Sequence, residues 1–188
     1  FKLRLYSKEL MITNNRSRLI PHFSFPEYAH VPGLTVHPKK KGGHSEFIDD
    51  PEPEVLKPAK PYDSDEFLHA VDLFNYGYYW ESHVWWEGLW HACGRRGIMA
   101  DFLKALIKLG AAGVKAKVKE EKGVIIHSQR AQELFDSLLK RDVSYYAGFD
   151  IADLFNYSQD IEMNVARYCE KSNPNTSVFD RFLIPDKR

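Results

Sequence analysis

His83, Glu87 and Trp90 stand at i, i+4 and i+7 of a segment with helical period, so an imidazole, a carboxylate and an indole line up along one helix face. A helical wheel puts Tyr79, Trp80 and Trp86 on the same side, which sets two ionisable groups inside an aromatic surface. An unpaired charge in such surroundings is costly, and groups of this kind are hydrogen-bonded, paired or metal-bound. Three chemistries fit. Glu87 can accept a hydrogen bond from His83, the pair bracing a neighbouring segment. The two can supply metal ligands at helical spacing, with others from elsewhere. Or they form an acid–base pair, or a seat for a polar ligand, the imidazole tuned by its carboxylate. Glu81 falls far round the helix and faces another partner.

Two further sets of residues bear on this site. His37 and His44 lie in a Pro/Gly-rich segment, where a histidine ordinarily pins a loop by hydrogen bonds. Folded back, that segment would complete a ligand set of His37, His44, His83 and Glu87 for zinc or another divalent ion, with a position open for water. That reading makes the protein a metal-dependent hydrolase-type enzyme. Separately, Asp101, Lys104, Lys108, Lys115, Lys119 and Lys122 gather on one face of a later helix. This is a solvated face or a contact for an anion or nucleic acid. His22, His30, His69 and His91 carry no spacing signal, and His127 falls on an apolar stripe, as a core histidine does. There is no phosphate-cradling Gly-rich loop with lysine, no dinucleotide fingerprint and no Gly-x-Ser-x-Gly elbow.

The elements that must position these residues divide the chain in two. Eight of the ten prolines fall between Pro21 and Pro61, each removing a donor and biasing its predecessor away from helix. Residues 1–61 therefore read as a Pro/His-rich extended arm and linker, with a short helix or turn over 5–20. Residues 62–172 read as a helical domain and 173–188 as an irregular tail. Asp63 with Glu66 makes a capping-box-like start, and helices are expected from there to Gly77, from Tyr78 to Ala92, from Ile98 to Lys119, from Val124 to Lys140 after a break at Gly123, and from Ile151, capped by Asp150, to Glu170. Ala105, Gly110, Gly113 and Ala116 let a neighbouring helix approach closely. The fold class is all-α, a compact bundle of about five helices with the arm across it. The core is expected to hold Phe67, Phe74, Trp86, Trp90, Phe102, Leu106, Leu109, Leu134, Phe135 and Leu138.

Composition narrows the function classes. Hydrophobic residues at 44% and charged residues at 28% are globular values. Twenty-six basic and 26 acidic side chains cancel, so no whole-protein field draws in nucleic acid or an anionic membrane. Cys93 and Cys169 are too few for a disulfide scaffold. With no long apolar run and no signal-peptide pattern at the first residues, a cytoplasmic protein without a membrane span is expected.

The stretch Leu73-Phe-Asn-Tyr-Gly-Tyr-Tyr-Trp-Glu-Ser-His-Val-Trp-Trp-Glu-Gly-Leu-Trp90 resembles the signature of domain-of-unknown-function family 309, a Phe-Asn-x-Gly turn followed by Glu-x-His-Glu-x-x-Glu-x-x-Trp. Phe74, Asn75, Gly77, Glu81, His83, Glu87 and Trp90 match it, while Val84 replaces the acid after the histidine. Asp101–Ala112 resembles the family's second block, with Lys104 and Lys108 where glutamines are common. Val31-Pro-Gly33, His37-Pro38 and Gly43-His-Ser45 are similar to the arm of its longer members. The resemblance implies a helical fold and no established activity. The leading expectation is a binding or scaffold domain whose pocket is lined by Tyr79, His83, Trp86, Glu87 and Trp90 and closed by the arm. Its partner is a small molecule or a protein, a second copy of the chain included. The metal enzyme is the alternative, and nucleic-acid or anion binding by the lysine stripe ranks third.

Overall fold

The computed structural model describes residues 17–171, 173 and 176–187. The turn or helix expected over 5–20 lies outside the described residues up to position 16, and 17–20 are irregular. Among the described residues six α-helices follow: α1 (Asp65–Asn75), α2 (Tyr79–Ala92), α3 (Gly97–Lys117), α4 (Glu121–Leu139), α5 (Ile151–Met163) and α6 (Val165–Glu170). The expected all-α bundle is present, with α3 packed between α2 and α4, α4 against α5, and α1 against α2.

Local chemistry sets the boundaries and moves several from their expected places. Pro61–Asp63 forms a 3-10 turn, and the cap of α1 is Ser64 rather than Asp63, its hydroxyl accepting from Phe67 N at 3.2 Å. Gly123 does not break the chain. The turn is made by Lys119 at φ 58°, and Gly123 sits in the first turn of α4. Asp150 caps α5 as expected, accepting from Asp153 N at 3.0 Å. The single last helix is two, divided at Asn164, whose side-chain amide donates to Asp160 O at 3.0 Å. Tyr145–Tyr146 and Phe149–Asp150 pair as a minimal antiparallel hairpin, β1 and β2, around Ala147 and Gly148 at positive φ. Two-residue strands are too short for an alternating pattern to register in sequence.

The core runs along α3, where Phe102, Leu103, Leu106 and Leu109 are fully buried with Phe67, Phe74, Trp86, Phe135 and Leu138. Small residues do set the approach of α2. A Cβ on Gly113 would lie 2.4 Å from Tyr79 Cγ, and one on Gly110 3.2 Å from Tyr79 O. Trp90, expected in the core, is only partly buried and packs at its edge.

The described part of the arm, residues 17–60, is irregular but docked. Asp72, nearly fully buried on α1, accepts from Leu19 N at 2.9 Å and Ile20 N at 3.0 Å. Ile20, Val31 and Leu56 bury their side chains, and Pro51 O passes close over α2 where Gly88 has no Cβ to obstruct it. The tail is equally engaged. Val178, Phe179 and Leu183 are buried, and the Asn75 amide both donates to and accepts from the Leu183 backbone at 2.7 Å.

Candidate functional site

α2 and α3 run antiparallel, since Gly113 meets the Tyr79 ring while the Lys104 ammonium lies 5.8 Å from the Trp90 ring centroid. Between them, and reaching α4, lies a cleft of about 340 Å³. Its floor is the apolar run Ile107, Ala111 and Val114 of α3. One wall is Trp80, His83, Glu87 and Trp90 of α2, and His127 of α4 faces them. Lys104, Lys108 and Lys115 rise from α3 into the same space. The His/Glu/Trp set and the lysine stripe, separate features in sequence, thus line one cleft. Lys119 and Lys122 stay outside its lining, and Asp101 is turned to Arg141 at 2.8 Å.

His83 Nε2 and Glu87 Oε2 are 3.7 Å apart, an electrostatic pair too long for a hydrogen bond. Glu87 keeps 48% of its side-chain surface exposed, so it is not sunk among rings. Burial holds the His83 imidazole below its ordinary value; Lys108 pushes it the same way and Glu87 opposes. His127 is lowered by burial, then by Lys108, Lys115 and His83, with Glu120 opposing. At neutral pH the cleft therefore holds two uncharged imidazoles beside the side chains of Lys104, Lys108, Lys115 and Glu87. Lys115 is held by Glu120 at 2.5 Å, and its stem lies in space that a Cβ on Gly123 would invade at 2.8 Å.

Two residues expected in the pocket are elsewhere. Tyr79 and Trp86 share a buried stripe with Ser82 and Leu89, while Trp80, His83, Glu87 and Trp90 form the next stripe, one residue round the helix. At about 100° per residue, these stripes are easily merged on a wheel drawn without knowing where the core lies. The Tyr79 hydroxyl accepts from Val178 N at 3.1 Å and Phe179 N at 3.2 Å, holding the tail, and burial pushes it up to about 12. Trp86 packs on Phe74 at 5.6 Å between ring centroids. Conversely, His127 is a cleft residue rather than a core histidine.

The arm histidines do not reach His83 and Glu87, and no arm residue among the described ones lines the cleft. His44 and the backbone of His30 instead meet Glu81 on another flank of α2. Its buried Oε1 accepts from His30 N at 2.8 Å and lies 3.0 Å from His44 Nε2, while His44 Nδ1 is 2.8 Å from Ser45 Oγ. His37 packs edge-on to His30 and Trp80. Beneath them Lys117, 3% exposed, is lowered by burial to about 8, with Glu81 opposing. Lys117 carries no spacing signal; only its place on the small-residue side of α3 hints that it is internal. The donors of the zinc reading are thus split between two faces of α2. Among the described residues no group of three or more His, Cys, Asp or Glu is arranged to hold a metal ion, so these side chains do not fit a resident divalent ion.

Fold and site together define an all-α domain with a lysine- and tryptophan-lined cleft between three of its helices. Residues 67–126 match the family model described as Domain of unknown function (DUF309). The match begins in the first turn of α1 and ends one residue before His127, so it takes in every cleft residue but that one. No curated protein and no solved structure matches the chain. No helix among the described residues is long and apolar enough to cross a membrane.

Proposed function

We propose that this is a binding domain that holds a small organic anion in the cleft between α2, α3 and α4. The observation that carries the reading is the convergence of Lys104, Lys108 and Lys115 on an apolar floor flanked by Trp80 and Trp90. Apolar surface laid on Ile107, Ala111 and Val114 contributes about 25 cal/mol per Å² removed from water. The ammoniums supply charge that a neutral ligand of the same shape cannot use. The two uncharged imidazoles each offer one donor and one acceptor. The volume lies at the lower end of the range for small-molecule sites, roughly 300–1,000 Å³.

The test uses 8-anilinonaphthalene-1-sulfonate against its uncharged parent, N-phenyl-1-naphthylamine. The sulfonate is expected to bind saturably and at least about tenfold more tightly than the neutral compound, a difference of about 1.4 kcal/mol. Lys108→Glu should remove that preference while leaving the far-ultraviolet circular dichroism unchanged. Equal affinity for the two probes, or indifference to Lys108→Glu, would overturn the reading.

A further inference from the structure

Taking the cleft as an anion site, we infer that its ligand is a short single-stranded oligonucleotide, laid along α3 with bases on Trp80 and Trp90 and phosphates on Lys104, Lys108 and Lys115. The two indoles are ten residues apart on one helix, hence about 15 Å apart along its axis. A single planar ring can rest on one of them but not both, so a ligand using both walls carries rings at separated points. The ammoniums repeat on the same scale. Lys104 and Lys108 are one turn apart, and Lys115 lies nearly two turns beyond. Because α2 and α3 are antiparallel, the Lys104 end of this series meets Trp90 and the Lys115 end meets the first turn of α2, where Trp80 stands.

Rings at both ends and negative charge distributed between them is the pattern of a single strand on an aromatic platform, where bases present their faces for stacking and the backbone follows a basic groove. Duplex bases are already stacked on one another and have no free face to offer. His83, 6.0 Å from Trp80 between ring centroids, and His127 stand between these ends, and as uncharged imidazoles they can hydrogen-bond a sugar hydroxyl or a base edge. The chain's zero net charge supplies no long-range attraction, and at one end the strand must compete with Glu120 for Lys115. A strand of a few nucleotides, bound weakly and locally, fits these charges.

The experiment is fluorescence anisotropy with a labelled eight-nucleotide oligouridine, run beside an eight-base-pair duplex, inorganic polyphosphate of similar charge, and the anilinonaphthalene sulfonate probe. The oligouridine should bind at least tenfold more tightly than the duplex. Three phosphate contacts on a single strand predict a slope of log K against log salt of about −2. Trp90→Leu should weaken the oligouridine about tenfold and leave polyphosphate unchanged, whereas Lys108→Glu should weaken both. Equal binding of polyphosphate and oligouridine, with no effect of Trp90→Leu, would overturn the inference, as would a duplex that binds equally well. Failure of oligouridine to displace a sulfonate probe that still depends on Lys108 would overturn it while leaving the anion cleft standing. A sulfonate probe indifferent to Lys108→Glu would bring down both.

Discussion

Acidification is expected to loosen this protein through His69, a residue outside the cleft. His69 lies on α1 at 3% exposure, with Phe23 at 4.9 Å and Trp85 at 5.1 Å between ring centroids. Burial, reinforced by the Arg18 guanidinium, lowers it from 6.5 to about 4. In the unfolded chain the imidazole takes up its proton near 6.5, whereas the folded protein refuses it until about 4. The unfolded state therefore binds more protons between those values, and stability falls as pH drops through that window. At about 1.4 kcal/mol per pH unit the full gap amounts to roughly 3 kcal/mol, of which about 2 kcal/mol is lost by pH 5. Urea unfolding at pH 7.5 and pH 5.0, on the wild type and on His69→Leu, isolates this contribution, because leucine cannot titrate. His30, His83 and His127 are lowered as well and add to the slope in both proteins. The variant should thus lose about 2 kcal/mol less than the wild type between the two pH values. Parallel losses in the two proteins would refute the reasoning.

Other substitutions separate the two polar constellations on α2. Glu87→Ala should cost less than about 1 kcal/mol in urea unfolding, because a half-exposed carboxylate pairs weakly, and it should tighten the binding of the sulfonate probe by removing a like charge. Glu81→Ala should cost about 1–3 kcal/mol, since it leaves the buried His30 N–H without its acceptor and His44 Nε2 without its partner. It should also speed tryptic cleavage after Lys39, Lys40 and Lys41, whose loop is tied to α2 through His44. Gly113→Ala should cost about 1–3 kcal/mol by forcing a methyl group into the Tyr79 ring, read as a lowered urea midpoint with an unchanged slope.

Much of the bundle could be read directly from periodicity. The stripe Ala131, Leu134, Phe135 and Leu138 is buried throughout, and the small residues of α3 sit where α2 crosses closest. What periodicity did not resolve was which of two adjacent stripes on α2 faces inward, because both are aromatic. Periodicity therefore groups Tyr79 and Trp86 with a cleft that is lined by Trp80 and Trp90. His83, Glu87 and Trp90 were legible as a set because they lie on one helix and one face. Their union with Lys104, Lys108 and Lys115 was not, since it depends on how α2 rotates against α3. Nor could spacing show which carboxylate the arm would find. His44 is 37 positions from Glu81, and the choice of Glu81 over Glu87 follows from the arm passing along the flank of α2 that Gly88 leaves open.

Asp72 and Asn75 lie three residues apart on α1, and each grips the backbone of one extremity of the folded chain. Stretched between residues 17 and 187, the molecule would load α1 from one side through Leu19 and Ile20. From the other side the pull meets Asp186 N on Gly148 O and the Tyr62 hydroxyl on Pro185 O, both at 2.7 Å, before it reaches Leu183. The first extension event at that end should therefore free residues 185–187 from the hairpin and Tyr62 while α1 still holds Leu183.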